Sequence, residues 1–92
     1  MTISGELTFK GKITTPTRTL RKQVFQLLDR SQRDPQRHEF ELINENCGLI
    51  DEHKIGDHIL VHFRIRSSHT THKLIPNLVA LRIEKIEPTD IF

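Results

Sequence analysis

The chain has 92 residues, of which 35% are hydrophobic and 28% charged, and its formal net charge at pH 7 is +2. This length predicts a single domain (1–92) whose core is thin, so a closed or nearly closed sheet is a suitable way to bury the apolar side chains. No run is long enough to cross a membrane, no signal-peptide pattern opens the chain, and Cys47 has no partner for an internal disulfide, so we expect a cytoplasmic protein.

Residues 2–14 alternate between apolar and polar positions, which predicts a long first strand. The inward face of this strand is expected to carry Ile3, Gly5, Leu7, Phe9, Gly11 and Ile13. Glycines on an inward face indicate that the strand coils sharply or that another backbone comes close. Residues 15–19 are expected to form a polar loop.

Residues 20–31 predict a second strand, but its phase is open. Two pairs of apolar side chains compete for the inward face, namely Phe25 with Leu27 and Val24 with Leu28. A strand that is apolar on both sides lies between two layers or at a subunit contact. A short amphipathic helix over residues 18–30 is the competing interpretation.

A polar turn then leads to a third strand over residues 37–44, built around Phe40, Leu42 and Ile43. Residues 46–53 predict a short helix, with Asn44 or Asn46 as its cap and Leu49 and Ile50 buried.

The turn at Gly56–Asp57 opens a fourth strand that ends at Arg66. Its inward positions are Ile59, Val61, Phe63 and Ile65, and its outward ones are His58, His62, Arg64 and Arg66. A polar loop precedes a fifth strand over residues 74–86, with Ile75, Val79, Leu81 and Ile83 inward and Arg82 and Glu84 outward. Three strands, a short helix and two strands predict an all-β, five-stranded Greek-key OB-fold barrel with one short helix between strands 3 and 4.

Charge is distributed unevenly along the chain. Residues 10–37 contain eight Lys or Arg against two carboxylates, residues 38–57 contain six carboxylates against Lys54, and residues 58–86 are basic again. This pattern indicates a basic stripe beside an acidic patch, although charges that merely coat a soluble surface are the other interpretation. The acidic row Glu39, Glu41 and Glu45 is expected to be solvated, to repel nucleic acid, or to pair with a basic strand of a neighbouring subunit.

Catalytic and metal chemistry have little support in the sequence. No nucleophile elbow, phosphate-cradling glycine loop or metalloprotease helix is present, and Cys47 is expected to be a packed or half-exposed thiol. His62, His69 and His72 suggest a zinc site, but such a site needs three or four ligands in fixed geometry, and exposed histidines are the favoured interpretation. We therefore expect a non-enzymatic protein with no cofactor and no metal.

Five short segments resemble compact bacterial single-stranded DNA-binding proteins, and more closely an uncharacterised bacterial domain family of that type. They are LTFKGKI (7–13), RKQVFQL (21–27), FELI (40–43), KIGD (54–57) and LRIEKI (81–86). The resemblance covers nearly the whole chain. It implies that single-stranded nucleic acid, DNA in preference to RNA, crosses the second and third strands during DNA replication or repair. The basic residues that it implicates are Lys10, Lys12, Arg18, Arg21, Lys22, Arg30, Arg33, Arg37, Arg64, Arg66, His69, His72 and Lys73.

The aromatic content differs from that of typical single-strand binders. Such proteins stack bases on exposed rings, and this chain has no Trp and no Tyr. Phe9, Phe25 and Phe63 are expected in the core, which leaves Phe40 as the candidate stacking platform, with core packing as its alternative. Binding without stacking would depend on phosphate contacts and salt.

An interaction or homo-oligomerisation module without nucleic-acid binding is the alternative function, and a small-ligand or oligosaccharide barrel is a third. The doubly apolar second strand favours self-assembly as a dimer or higher oligomer. The C-terminal tip, residues 87–92, is expected either to fold back on the barrel or to dock a partner protein.

Overall fold

The computed structural model describes residues 1–31, 33–69 and 74–87. Six strands and two short 3-10 helices make up this part of the chain. They are β1 (Thr2–Lys10), β2 (Thr14–Thr17), β3 (Leu20–Asp29), β4 (Gln36–Ile43), the 3-10 helices Asn44–Asn46 and Leu49–Glu52, β5 (His58–His69) and β6 (Leu74–Lys85).

One sheet contains all six strands in the order β1-β5-β6-β4-β3-β2, and an additional pairing of β1 with β3 closes it into a barrel. β1 is shared along its length, because residues 2–6 pair with β5 and residues 6–10 pair with β3. β4 and β6 run parallel, at Phe40 and Glu41, whereas the other pairings are antiparallel. The all-β prediction is confirmed. The helical alternative for residues 18–30 is wrong, because β3 pairs with β4 from Lys22 to Asp29.

Three phenylalanines form the centre of the core. The ring of Phe40 stacks on that of Phe25, with centroids 5.3 Å apart, and meets Phe63 edge-on at 5.4 Å. Around them pack the buried side chains of Leu7, Leu27, Leu42, Ile50, Ile59, Val61 and Ala80. β3 therefore adopts the phase in which Phe25 and Leu27 face inward.

A β-bulge in β1 changes which side chains face the core. Leu7 lies opposite Leu27, but Phe9 lies opposite Gln26, so Thr8 is the extra residue. A bulge shifts the alternation by one, and the side chains beyond it exchange faces. Phe9 is 46% exposed as a result, and the prediction that it faces the core is wrong.

β1 also ends earlier than predicted. Residues 11–13 leave the strand, and the expected polar loop instead forms β2, which pairs with β3 at Thr14 and Thr17. Ile13, predicted to face inward, is 41% exposed. The close approach of another backbone is confirmed at both glycines, since a β-carbon on Gly5 would lie 2.7 Å from the Leu28 carbonyl oxygen and one on Gly11 would lie 2.8 Å from that of Val24.

A second bulge affects β6. His62 lies opposite Arg82 while Phe63 lies opposite Ala80, which leaves Leu81 as the extra residue and 46% exposed rather than inward. β5 and β6 then continue as a two-stranded arm, which runs from the pair Arg64 and Val79 to the pair His69 and Leu74. In this arm Ile65 is 51% exposed, contrary to prediction. The predicted inward position of the Ile75 side chain lies outside the described residues.

Two 3-10 helices stand where one helix over residues 46–53 is predicted. Gly48 separates them with a φ of 95°, in the left-handed region that interrupts a continuous right-handed helix. Asn44 does not cap a helix; its Oδ1 accepts a hydrogen bond from the Arg21 backbone N–H at 2.9 Å. Ile50 is buried as predicted, but Leu49 is 36% exposed.

Candidate nucleic-acid interface

The outer face of the barrel, meaning the outward side chains of β1, β3 and β4, carries one exposed aromatic ring. Phe9 lies opposite Gln26, which lies opposite Glu39, so the three residues form a row across the strands. Gln26 Nε2 donates to Glu39 Oε2 at 3.0 Å. The Phe9 ring lies close to Gly11, where a β-carbon would be 3.5 Å from its Cε2 atom. The Phe9 ring is therefore a flat apolar surface that is open to solvent, next to the polar side chains of Gln26 and Glu39.

Phe40 does not have the stacking role considered for it. Its ring has 0% exposure and lies between Phe25 and Phe63. Its register position, opposite the inward Phe25, places it in the core. Sequence alternation assigned Phe9 to the core because nothing local to residues 7–9 marks the bulge, which exists only through the pairing of β1 with β3.

Two of the predicted phosphate ligands already have partners in the fold. Beyond the bulge, Lys10 lies opposite the inward Phe25, and its Nζ donates to the carbonyl oxygen of His53 at 2.6 Å. Lys22 Nζ lies 2.8 Å from Glu41 Oε1. Lys10 is therefore not on the outer face. The ammonium group of Lys22 is already paired with Glu41, so it is a poor ligand for a phosphate.

Seven other predicted cations are exposed. Lys12, Arg18 and Arg21 flank β2, Arg33 lies at the turn between β3 and β4, Arg37 is the second residue of β4, and Arg64 and Arg66 lie on the arm. None of these seven forms an ion pair with another described residue. Arg30 lies 3.7 Å from Glu6. Lys73, His72 and the His69 side chain lie outside the described residues.

The centre of the outer face is electrically balanced rather than basic. Lys22 and Arg37 lie there beside Glu39 and Glu41, a sum of zero charge. Unpaired positive charge lies outside this centre, around β2, at Arg33 and on the arm. The basic stripe predicted from the sequence is thus divided by the carboxylates of β4.

The histidines that the structure describes show no arrangement for a metal. Across residues 1–31, 33–69 and 74–87, no group of three or more His, Cys, Asp or Glu could hold an ion. His62 Nε2 instead lies 2.8 Å from Glu84 Oε2, and Arg82 also pairs with that carboxylate. Hydrogen bonds from His62 and Arg82 hold the pKa of Glu84 below its ordinary value.

A groove of about 350 Å³ runs between β4 and the start of β6. Its walls include Arg37 and Glu39 on one side and Pro76 and Leu78 on the other. It connects the balanced centre of the outer face to the base of the arm.

Solved structures share this arrangement of strands over most of their length. The mitochondrial single-stranded DNA-binding protein Rim1 of S. cerevisiae matches with a TM-score of 0.76 and 16% identity, over 95% of this chain and 92% of that one. The N-terminal domain of PriB from Thermoanaerobacter tencongensis, described as dimeric, matches with a TM-score of 0.66 and 17% identity, over 95% and 94%. Plasmodium falciparum SSB in complex with ssDNA matches with a TM-score of 0.55 and 16% identity, over 95% and 93%.

The chain has the OB fold of single-stranded DNA-binding proteins. At these identities the likeness shows the fold. No protein-family model matches the sequence, and comparison with curated proteins gives no match. In the part of the chain that the structure describes, no helix has the length and apolar character needed to cross a membrane.

Proposed function

We propose that the protein is a non-enzymatic module that binds single-stranded nucleic acid, DNA in preference to RNA. The observation that carries the proposal is the exposed ring of Phe9 on the outer face of an OB fold. A ring open to solvent in this position offers a base the stacking surface that Phe40 does not. The likeness to two proteins whose descriptions name single-stranded DNA, Rim1 and Plasmodium falciparum SSB, supports the same class of ligand.

The affinity expected from this surface is modest. Stacking one base on an aromatic ring contributes about 1–3 kcal/mol, and the described residues expose one such ring. The rest must come from phosphate contacts, which release counterions and weaken as salt rises.

The charges favour one path for the strand. It would contact Phe9 and the cations beside β2, namely Lys12, Arg18 and Arg21, and reach Arg64 and Arg66 on the arm. Arg33 and Arg37 would contact the backbone at the opposite end of β4. The carboxylates Glu39 and Glu41 repel phosphates from the centre, so the bases rather than the backbone would face β4.

Titration of fluorescently labelled oligonucleotides with the wild-type protein tests this function. We expect single-stranded DNA to bind more tightly than RNA or duplex DNA. Between about 50 and about 200 mM salt, the affinity should fall with a logarithmic slope that corresponds to several phosphate contacts. Absence of binding at low salt, or an affinity that does not change with salt, would contradict the proposal.

Self-association through the outer face is a second candidate, favoured by a different observation. Val24 and Leu28 are half-buried on this face of β3, and Phe9 and Ile13 are exposed beside them. Such a patch fits a second copy of the chain, as expected from the doubly apolar second strand. Sedimentation velocity distinguishes the candidates, because a dimer interface here requires a mass that rises with protein concentration without oligonucleotide.

Three finer expectations accompany the proposal. The barrel would have Greek-key connections, with the 3-10 segment as the helical insertion between the third and fourth barrel strands. The location would be cytoplasmic, as Cys47 suggests, whereas the similar Rim1 is mitochondrial. Docking of a partner protein by the C-terminal tip remains a prediction, since residues 88–92 lie outside the described ones.

A further inference from the structure

A cavity of about 430 Å³ lies where β1, β3 and β5 meet, and its lining does not include Phe9, Gln26 or Glu39. It opens where β1 leaves β3 and joins β5, because Glu6 lies opposite Leu28 on one side and His58 on the other. Gly5 and Leu28 give the cavity an apolar wall, and the close approach of the Leu28 carbonyl leaves no room for a side chain at Gly5.

Two carboxylates, those of Glu6 and Asp29, are among the polar groups that line this cavity. Hydrogen bonds from Ser31, through its side chain and its backbone N–H, hold the pKa of Asp29 below its ordinary value, so this carboxylate stays ionised at neutral pH. His58 also lines the cavity, but its Nδ1 atom is fully buried and lies out of reach of a ligand.

Arg30 places a positive charge at the rim of the cavity. The Arg30 side chain is 65% exposed and lies 3.7 Å from Glu6, longer than a good hydrogen bond. Its guanidinium retains donors for an anion such as a phosphate. The cavity thus combines an apolar wall, acceptors inside and a donor cluster at the mouth, within the size range of small-molecule pockets.

We propose that this cavity binds one nucleobase that carries an exocyclic amino group, with the attached phosphate on Arg30. The carboxylate of Glu6 accepts hydrogen bonds from an amino group, whereas a base with a carbonyl oxygen in that position would place two acceptors against each other. Where the base belongs to a bound strand, the inference rests on the proposed function; a free nucleotide has the same chemistry.

Two matched nucleotides, dCMP and dUMP, test this preference. They differ chiefly at C4 of the base, where dCMP carries an amino group and dUMP a carbonyl oxygen. In amide NMR spectra of the full chain, we expect dCMP to shift the signals of Gly5, Glu6, Ser31 and His58. Its affinity should exceed that of dUMP by at least about tenfold, the discrimination given by a good pair of hydrogen bonds. Equal affinities, or no dCMP shift at these amides, would overturn the proposal.

Two variants locate the effect. Glu6→Gln replaces one acceptor oxygen by a donor and should remove the preference for dCMP, while Glu52→Gln, at an exposed position outside the cavity lining, should leave it intact. Retention of the preference in Glu6→Gln would overturn the assignment of Glu6.

Oligonucleotides separate this inference from the proposed function. If oligo-dU binds with a dependence on Phe9 but dCMP does not bind, the cavity proposal fails and the proposed function stands. If dCMP binds at the cavity but no oligonucleotide binds, the proposed function fails and the cavity takes a free nucleotide.

Discussion

The ammonium group of Lys10 donates a hydrogen bond to the carbonyl oxygen of His53, at 2.6 Å. This bond joins the end of β1 to the segment between β4 and β5, and His53 is only 7% exposed. Charge-assisted hydrogen bonds are shorter and stronger than neutral ones. Lys10 is therefore a structural cation, whereas Lys12, two residues later, is exposed.

The first prediction contrasts these two lysines. Lys10→Met should lower the free energy of unfolding by about 1–3 kcal/mol, because the His53 carbonyl loses its partner. Lys12→Met should leave stability within about 0.5 kcal/mol of wild type and weaken oligonucleotide binding. Urea unfolding and binding titrations measure both. Unchanged stability in Lys10→Met, with weaker binding of its folded form, would reverse the assignment.

The second prediction concerns Gln23, which is 3% exposed. Its Nε2 donates to the Gly11 carbonyl at 3.1 Å and to Asp51 Oδ1 at 3.2 Å, and its Oε1 accepts from the Gly48 N–H at 2.8 Å. Gln23→Leu should destabilise the fold by about 1–3 kcal/mol for each group left buried without a partner.

Gln26→Leu is the control for Gln23→Leu, because the side-chain hydrogen bond from Gln26 to Glu39 lies at the surface. We expect its effect on the free energy of unfolding to be within about 0.5 kcal/mol. A loss in Gln23→Leu no larger than in this control would show that the buried amide does not anchor the 3-10 segment.

The third prediction is a dependence of stability on acid pH. The backbone N–H of Lys54 donates to Asp57 Oδ2 at 3.0 Å, and this bond holds the pKa of Asp57 below its ordinary value. A lowered pKa contributes stability above the unfolded-state value and loses it as pH falls through the folded-state value. The contribution should thus be complete at neutral pH and disappear below about pH 4.

Asp57→Asn tests that dependence. It should be less stable than wild type at pH 7, and the difference should shrink in acid; Glu45→Gln, at an exposed site, is the control. Denaturant unfolding at a series of pH values measures the difference. A gap between Asp57→Asn and wild type that stays constant with pH would exclude the ionised carboxylate as its source.

The fourth prediction concerns phosphate contacts on the arm. Arg64 and Arg66 are exposed and without ion-pair partners among the described residues, whereas Arg82 pairs with Glu84. The double variant Arg64→Gln with Arg66→Gln should reduce the salt slope of single-stranded DNA binding by roughly 1 to 1.5, which corresponds to two lost contacts. Arg82→Gln should leave the slope unchanged. Equal slopes in the double variant and wild type would remove the arm from the interface.

The barrel strands were predictable because their alternation is strong. Ile59, Val61 and Phe63 face the core as the pattern of the fourth predicted strand indicates, and the phase of Phe25 and Leu27 was one of two considered. The bulges were not predictable. Thr8 and Leu81 become extra residues only because of how the partner strands pair, and each reverses the expected orientation of a large apolar side chain.

The site was harder to predict than the fold for a related reason. Runs of charge along the sequence indicated where cations are, but the pairing of Lys22 with Glu41 and of Lys10 with His53 depends on residues distant in the chain. Phe9 is exposed because one extra residue in β1 shifts the alternation, and Phe40 is buried because it lies opposite the inward Phe25.

The most direct test of the account uses Phe9→Trp, which introduces the sole tryptophan of the chain and keeps an aromatic ring at this position. Single-stranded DNA should quench its emission in a saturable way, and Phe9→Leu should bind the same oligonucleotide about 5- to 150-fold more weakly than wild type, as loss of one stacked base predicts. If the tryptophan emission does not respond to oligonucleotide and Phe9→Leu binds as tightly as wild type, then no base stacks on the ring at position 9.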